Sequence, residues 1–257
     1  MGEQSPDRPS FDRARFAADP ARDARFDVKD QWMDLNNLPE GAPLREVEFF
    51  HRQMNEEVNG MECAARALVD FPEAPWNLRM SIARQCYDEA RHVEMFRALL
   101  ERSGGKPGQS PVMNFQYRII THIDNLPGRL AVQNRSFEAE GVDAIEPAIG
   151  AAYQQGDAHL AEQYDAQLAD EICHVRFANQ YLTDAASRDP ASVMRVGRAL
   201  NYAAEAFVQV MGRKAIDSVD YPVNQIGRMQ AGFRAEEILH ATALRARKSP
   251  RNHSVAP

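Results

Sequence analysis

The feature that most constrains this chain is a short motif that occurs twice, 82 residues apart. The first copy reads D-E-A-R-H and the second D-E-I-C-H, so each places a Glu three positions before a His. On a helix, residues at this spacing lie on one face with Cβ atoms about 5–6 Å apart, so the carboxylate and the imidazole can bind one metal ion. The motif therefore predicts two helical carboxylate–imidazole pairs, Glu89 with His92 and Glu171 with His174.

Each copy of the motif follows a further glutamate at a similar distance. Glu57 lies 32 residues before Glu89, and Glu138 lies 33 residues before Glu171. With a rise of about 1.5 Å per residue, Glu57 and Glu89 lie at nearly equal heights on two helices joined by the turn F-P-E-A-P. The heights of Glu138 and Glu171 across Q-Q-G-D agree less closely. We predict a helical hairpin of about 60 residues that is used twice.

The whole chain is predicted to be all-α, because apolar residues recur at helical spacing and no alternating strand pattern is present. Predicted helices cover about 43–70, 76–102, 114–155, 157–186, 190–219 and 223–248, with an interruption of the third at Leu126–Gly128 and Asp157 as an N-cap. Residues 1–40 are expected to be an irregular lead-in, anchored by Trp32 and Met33, and residues 251–257 a tail. Between them we expect one domain, 41–250, with a bundle core at about 43–186 and two extra helices at about 190–248.

Composition limits the partners of the protein. The chain has 257 residues, of which 44% are apolar, which is enough for one large core. A net charge of −7 argues against broad binding to nucleic acid or anionic membranes, and no apolar run approaches the roughly 20 residues that span a bilayer. Three cysteines without a pairing pattern and no apolar leader predict a reduced, cytoplasmic protein.

A third Glu-x-x-His, Glu237 with His240, follows Glu205 by a similar spacing. It lacks the Asp that precedes the Glu in the other copies, where Asp88 and Asp170 are placed to orient the histidine of the facing hairpin. Arginines also flank it, as on a solvated helix face. We therefore do not expect it to bind the metal, although its role stays open.

The chain resembles the ferritin-like di-iron carboxylate superfamily and, within it, an uncharacterised branch known only as a domain of unknown function. The resemblance rests on N-E-E-V-N-G-M-E with F-P-E-A-P, on both D-E-x-x-H motifs, on F-E-A-E-G-V-D and on Q-G-D, all within residues 50–182. It implies a four-helix bundle, here with two additional C-terminal helices. The metal ligands that it implies are Glu57, Glu89, His92, Glu138, Glu171 and His174.

Two departures from the expected pattern leave alternatives open. Where we expect His-x-Glu in the first helix, the chain has Asn55-Glu56-Glu57, so Glu62 could replace Glu57. Where we expect Arg in the third helix, the chain has Glu140, which could replace Glu138 and matches the height of its partner better. The assignment of the glutamates as bridging or terminal is also open, with Glu57 and Glu171 each expected to hold one or two metals.

The resemblance implies two iron ions, with manganese or a mixed iron–manganese pair as the alternative, and dioxygen as co-substrate. The expected function is an oxidoreductase, a monooxygenase or oxidase acting on a small molecule. The alternatives are a ferroxidase or iron-handling protein, a tRNA hydroxylase-like enzyme and a non-catalytic helical interaction module. The two extra helices could cover a substrate pocket or form the interface of a homodimer.

Overall fold

The computed structural model describes residues 10–12, 20, 22–39, 41–212 and 221–248. The prediction of an all-α fold is confirmed for these residues, apart from one short parallel bridge of β1 (Val28–Lys29) with β2 (Val112–Met113). The α-helices are α1 Arg45–Asp70, α2 Trp76–Arg102, α3 Phe115–Thr121, α4 Leu126–Val132, α5 Ala139–Gln154, α6 Ala158–Arg188, α7 Ala191–Met211, α8 Gln225–Gln230 and α9 Ala235–Lys248. Among the described residues, none of these helices combines the length and apolar composition needed to span a bilayer.

The first hairpin consists of α1 and α2, which pack against each other along their length. The turn between them contains Pro72 and Pro75, and α2 starts directly after Pro75, because proline cannot continue one helix but fits the start of the next. The helix α2 ends at Arg102, and Gly104 follows with a φ of 81°, a left-handed conformation that glycine adopts without strain.

The third long helix is built differently from the prediction. The segment Leu126–Gly128 starts α4 instead of interrupting a helix, because Asn125 Oδ1 accepts a hydrogen bond from Gly128 N at 2.8 Å and Pro127 occupies the first turn, where no N–H is required. From there the chain stays helical to Gln154, with a π-helical segment, Gln133–Glu138, between α4 and α5. The break therefore lies before Leu126, at residues 122–125.

The second hairpin consists of α5 and α6. Asp157 caps α6 as predicted, with its Oδ1 accepting from Leu160 N at 2.9 Å. The helix α2 also packs against α6, so the two hairpins are joined through the helices that carry the D-E-x-x-H motifs.

The C-terminal helices differ from the prediction of one helix over 223–248. The helix α8 ends at Gln230, and α9 begins only at Ala235 after a turn that contains Gly232 with a φ of 87°. Because a helix cannot pass through a left-handed residue, the segment forms two helices. The predicted end of the preceding helix at 213–219, the tail 251–257 and residues 1–9, 13–19, 21 and 40 of the lead-in lie outside the described residues.

The described part of the lead-in lies against the helices. Trp32 is half-buried and packs on the core formed by α3 and α7, and Gln31 donates to the carbonyl of Gln209 in α7. Met33 is 40% exposed, so the expectation that it anchors the segment is wrong. Residues Trp32–Asp34 form one turn of 3₁₀-helix, in which successive side chains point in different directions, so Trp32 faces the core and Met33 does not.

Two apolar layers enclose a polar layer in the middle of the bundle. The first layer includes Val47 and Phe50 of α1, Phe96 and Leu99 of α2, Ile145 of α5 and Leu160 of α6. The second includes Ala64 and Ala67 of α1, Leu78 and Ile82 of α2, Leu130 of α4 and Ala178 of α6. In α1, α2 and α6 the candidate metal ligands lie between the residues of the first layer and those of the second. Glu138 likewise lies between Leu130 of the second layer and Ile145 of the first. Since each buried large aliphatic side chain contributes about 1.5–3 kcal/mol, the two layers hold the helices at heights that bring the polar residues together.

Candidate metal centre

Six side chains from α1, α2, the π-helical segment and α6 converge in the polar layer. Their ligand atoms form two groups of four, and within each group these atoms lie within 4.8 Å of one another. The first group is Glu57, Glu89, His92 and Glu171, and the second is Glu89, Glu138, Glu171 and His174. Glu89 and Glu171 belong to both groups, so two adjacent sites share two carboxylates. The geometry thus separates the two shared glutamates from Glu57 and Glu138, a distinction that spacing could not make.

Both histidines present Nδ1 to the carboxylates. His92 Nδ1 lies 3.1 Å from Glu89 Oε2, and His174 Nδ1 lies 3.3 Å from Glu138 Oε2. The two ring centroids are 6.3 Å apart. Each adjacent site therefore has one imidazole nitrogen, and Nδ1 is the atom placed to bind a metal.

The opposite nitrogen of each histidine faces an aspartate of the other hairpin. His92 Nε2 lies 3.3 Å from Asp170 Oδ2, and His174 Nε2 lies 3.3 Å from Asp88 Oδ2. An ionised carboxylate only accepts hydrogen bonds, so Nε2 carries a proton in both rings. This contact fixes the orientation of each ring with Nδ1 toward the carboxylates, so Nδ1 is the nitrogen that would exchange its proton for a metal.

Arg84 and Arg91 neutralise the two aspartates from the outer face of α2. Arg91 Nη2 lies 2.7 Å from an oxygen of each aspartate, and Arg84 Nε lies 2.8 Å from Asp88 Oδ2. Burial would raise the pKa of Asp88, but hydrogen bonds from His174 and both arginines hold it well below the ordinary value. The pKa of Asp170 is lowered for the same kind of reason. Both aspartates are therefore ionised at neutral pH and accept from their histidines.

Two glutamines that we did not predict complete the polar layer. Gln85 Nε2 donates to Glu138 Oε1 at 2.9 Å and to Glu89 Oε1 at 3.2 Å, while Gln167 Nε2 donates to Glu57 Oε1 at 2.9 Å. Each glutamine lies four residues before the Glu of its motif, so the repeat reads Q-x-x-D-E-x-x-H in both hairpins. This was the signal in the sequence that could have revealed them.

Two glycines extend the same repeat. Gly60 follows Glu57 by three residues, and Gly141 follows Glu138 by three, on the faces that meet the shared glutamates. A Cβ on Gly60 would lie 3.2 Å from Glu89 Cδ, and one on Gly141 would lie 4.0 Å from Glu171 Cδ. The helices α1 and α5 thus leave room for a carboxylate at these positions, most tightly at Gly60.

The alternatives Glu62 and Glu140 lie outside both groups. Glu62 Oε1 pairs with Arg22 of the lead-in at 2.7 Å. Glu140 Oε2 lies 2.7 Å from Arg245 and accepts from Tyr221 Oη at 3.1 Å. Residues two apart on a helix face different directions, so the chain cannot bring Glu140 to the site that Glu138 occupies.

The third Glu-x-x-His also lies outside the site. Glu237 accepts hydrogen bonds from Arg135 and from the backbone N of Arg234, and His240 is exposed. Glu205 is exposed on α7. The helix α9 lies on the outside of the bundle, where Arg135 binds Glu237 and Arg245 binds Glu140.

Burial and mutual repulsion shift the ionisation of the carboxylates. Burial and the nearby charge of Glu138 raise the pKa of Glu89 to about 7 and place the pKa of Glu171 well above its ordinary value. Burial would likewise raise the pKa of Glu138, but hydrogen bonds with Glu171 and His174 lower it. Burial would lower the pKa of His174, but contacts with the carboxylates raise it well above the ordinary value. Without metal, protons therefore neutralise the shared carboxylates.

Comparison with known proteins gives one result. The sequence profile of a family described as "Protein of unknown function (DUF455)" matches residues 3–239. The chain belongs to this family. Neither the curated proteins nor the solved structures contain a significant match.

The donor set of this DUF455 chain fits a pair of metal ions. Four carboxylates and two imidazoles are the ligand types that iron and manganese bind in proteins. Glu171 Oε2 is buried, and its distance of 3.5 Å from His174 Nδ1 is an ion-pair contact that does not satisfy it as a hydrogen-bond acceptor. A buried carboxylate oxygen in this state is costly unless a cation or proton binds it, which is what a metal provides.

The three cysteines of the DUF455 chain do not add ligands. Cys63 is buried, Cys86 is half-buried and Cys173 is exposed, and all three are free thiols. None belongs to either group of ligand atoms. Burial raises the pKa of Cys63 well above its ordinary value, so this thiol stays protonated and packs as a small apolar side chain.

Proposed function

We propose that this DUF455 chain is a ferritin-like protein that binds two iron or manganese ions and uses dioxygen to oxidise a small molecule. The observation that supports the proposal most directly is the pair of adjacent four-residue groups that share Glu89 and Glu171. A single structural ion would need only one such group. Two groups with shared carboxylates are suited to two ions held close together, as in ferritin-like bundles with a Glu-x-x-His motif in each of two helices.

In this proposal each ion has its own pair of ligands. Glu57 and His92 would hold one ion, Glu138 and His174 would hold the other, and both shared glutamates would contact both ions. The glutamates supply hard oxygen donors and the histidines supply imidazole nitrogen, a combination that suits iron or manganese better than softer metals.

A bound, reduced metal pair would supply the electrons with which dioxygen is activated. The residues of the chain prepare the site for it. Asp88 and Asp170 hold the two histidine rings with Nδ1 facing inward, and Gln85 and Gln167 hold one oxygen of the unshared glutamates. The apolar layers above and below exclude bulk water, which strengthens the electrostatic interactions inside.

The test is oxygen consumption by protein loaded with Fe(II) under anaerobic conditions. A monooxygenase consumes dioxygen over many turnovers only when a substrate and an electron donor are both present, whereas an oxidase needs only the substrate, which itself supplies the electrons. A ferroxidase consumes dioxygen in proportion to the added Fe(II), whatever organic compound is present. Loaded protein that consumes no dioxygen under either condition contradicts the proposal.

Two matched variants show whether the oxygen consumption comes from the candidate metal centre. Glu89→Gln keeps the size of a shared ligand but removes its charge, so it abolishes the activity of the loaded protein. Glu237→Gln makes the same change outside the site and retains that activity. Oxygen consumption that survives in Glu89→Gln would arise elsewhere, for example from iron in solution.

A further inference from the structure

The two halves of the candidate metal centre are related by the repeat but are not equally supported. We call the Glu138–His174 pair half B and the Glu57–His92 pair half A. Each half receives a hydrogen bond from one glutamine amide, from Gln85 to Glu138 in half B and from Gln167 to Glu57 in half A. The difference lies in what holds each glutamine.

In half B, the amide of Gln85 is itself held in place. Asn134 Nδ2 donates to Gln85 Oε1 at 2.8 Å and to the backbone carbonyl of His174 at 3.3 Å. Because Gln85 Oε1 accepts from Asn134, its Nε2 must face the carboxylates, where it also reaches Glu89 at 3.2 Å. Asn134 belongs to the π-helical segment that ends at Glu138, so one turn of the chain supplies both the ligand and the clamp.

In half A, the corresponding glutamine lacks this support. Gln167 Oε1 is buried and has no hydrogen-bond partner among the described residues, so only its contact with Glu57 orients the amide. The aspartates that orient the two histidines also differ, and again the residue of half B is the more buried. Asp88, which orients the histidine of half B, has a side chain that is 1% exposed, whereas Asp170, which orients the histidine of half A, is 13% exposed.

We propose that Gln85 and Gln167 are positioning residues for the two halves, and that the Asn134 clamp makes half B the half that takes up metal first. The inference rests on the proposed function only in assuming that two metal ions bind. The physical reason is preorganisation: a ligand already held in its bound orientation loses less freedom on binding, so its affinity is higher. Loss of a residue that orients a metal ligand typically weakens metal binding by about 10- to 100-fold.

The test is a titration with Mn(II), followed by the electron paramagnetic resonance signal of free Mn(II). This ion is stable in air, so binding is measured without turnover. Wild-type protein is expected to bind two ions in two steps, the first about tenfold tighter than the second or more. Gln85→Met keeps the size of the side chain but removes the donor, and it is expected to weaken the first step by up to the difference between the two steps, about tenfold, because the first ion can then bind half A equally well. Gln167→Met is expected to weaken the second step and leave the first unchanged.

Two further variants control for indirect effects. Gln154→Met makes the same substitution at an exposed position of α5 and is expected to leave both steps unchanged. Asn134→Leu removes the clamp but retains Gln85, and it is expected to weaken the first step alone. If Gln85→Met does not fold, as judged by its far-UV circular dichroism, the result for Asn134→Leu decides the proposal.

The outcomes separate this inference from the proposed function. Two Mn(II) ions in wild type with both steps unchanged in Gln85→Met would remove the positioning role of Gln85. Both steps unchanged in Asn134→Leu would remove the role of the clamp. Either result leaves the metal pair intact. A first step that weakens in Gln167→Met instead would reverse the order of the halves and contradict the proposal. Wild-type protein that binds no Mn(II) would overturn the metal pair itself, together with this inference.

Discussion

The pair Glu89 and His92 in α2 and the pair Glu237 and His240 in α9 have the same spacing but opposite surroundings. In α2 both side chains are buried and face the glutamates of three other helical segments. In α9 the glutamate is bound by Arg135 and the histidine is exposed. The difference between the two pairs is what lies opposite them.

The charge of the facing residues accounts for these opposite states. The α2 pair meets carboxylates, so the region has excess negative charge that favours a cation. The α9 pair meets arginines, so its negative charge is already compensated. A Glu-x-x-His motif therefore indicates a metal site only when the facing helices supply further acidic residues, as Glu57 and Glu138 do for the first two copies.

The largest expected effect is the loss of both imidazole ligands. The double variant His92→Ala/His174→Ala removes one nitrogen ligand from each adjacent site, so we expect it to bind neither Fe(II) nor Mn(II) at concentrations that saturate wild-type protein. His240→Ala removes the corresponding histidine of α9 and should bind metal like wild type. Equal loss in both variants, measured by metal analysis after gel filtration, would contradict the distinction between the two pairs.

The next effect is a dependence of metal affinity on pH. The pKa of Glu89 is raised to about 7 and that of Glu171 is raised well above its ordinary value, so metal must displace protons that these carboxylates retain near neutral pH. Affinity is expected to increase from pH 6 to pH 8, by about tenfold per pH unit for each proton displaced. Calorimetric titration in buffers of different ionisation enthalpy measures the protons released, and an affinity independent of pH would contradict the assignment.

The raised pKa of Glu89 also predicts how the stability of the metal-free protein depends on pH. Since Glu89 holds its proton to a higher pH when folded than its ordinary value of 4.5, the folded state binds more protons than the unfolded state between about pH 4.5 and 7. The free energy of unfolding should therefore decrease as the pH rises through this range. Denaturant titration should show a smaller decrease in Glu89→Gln. Glu237, whose pKa is lowered, cannot produce this decrease, so Glu237→Gln should retain it.

A smaller effect is expected from the two glycines of the repeat. Gly60→Ala places a Cβ 3.2 Å from Glu89 Cδ, so the shared carboxylate must move and metal affinity should fall several-fold. Gly141→Ala has no contact closer than 4.0 Å, so it should leave metal affinity unchanged and stabilise α5 by up to about 1 kcal/mol through its higher helix propensity. Thermal unfolding and Mn(II) titration of both variants test this difference, and equal effects on affinity would contradict it.

The smallest effect should come from the α9 pair. Glu237→Gln weakens the contacts with Arg135 and Arg234 at a partly exposed site, so we expect a loss of about 0.5–1 kcal/mol in the free energy of unfolding. Metal binding should not change. A variant with impaired metal binding would show that α9 contributes to the centre from outside.

The positions of the helices were predictable where proline or capping residues mark their ends. The helix α2 begins and ends where the sequence places it, because Pro75 precedes it and glycine follows it. The start of α4 was not predicted, because Pro127 can either break a helix or occupy its first turn, and only the Asn125 cap decides between these outcomes. The separation of α8 from α9 depends on the left-handed Gly232, and a glycine alone does not reveal its backbone conformation.

The convergence of the six candidate ligands was predictable because the D-E-x-x-H motif occurs twice with a glutamate at a matched distance before each copy, whereas their supporting residues were not predictable. Glutamine is common on helix surfaces, so the role of Gln85 and Gln167 could be assigned only once the structure showed the glutamates that they contact. Glu140 could not be dismissed from its spacing alone. The structure excludes it because Arg245, more than 100 residues later, binds its carboxylate.

The most direct test is the metal content of protein loaded with Fe(II) under anaerobic conditions and then freed of unbound metal. Wild-type protein, Glu89→Ala and Glu237→Ala should be measured together, because the two variants remove the same group inside and outside the centre. We predict two iron ions per chain in wild type and in Glu237→Ala, and the loss of both in Glu89→Ala. Wild-type protein without bound iron, or iron lost only in Glu237→Ala, would contradict the assignment of the centre to the two D-E-x-x-H motifs.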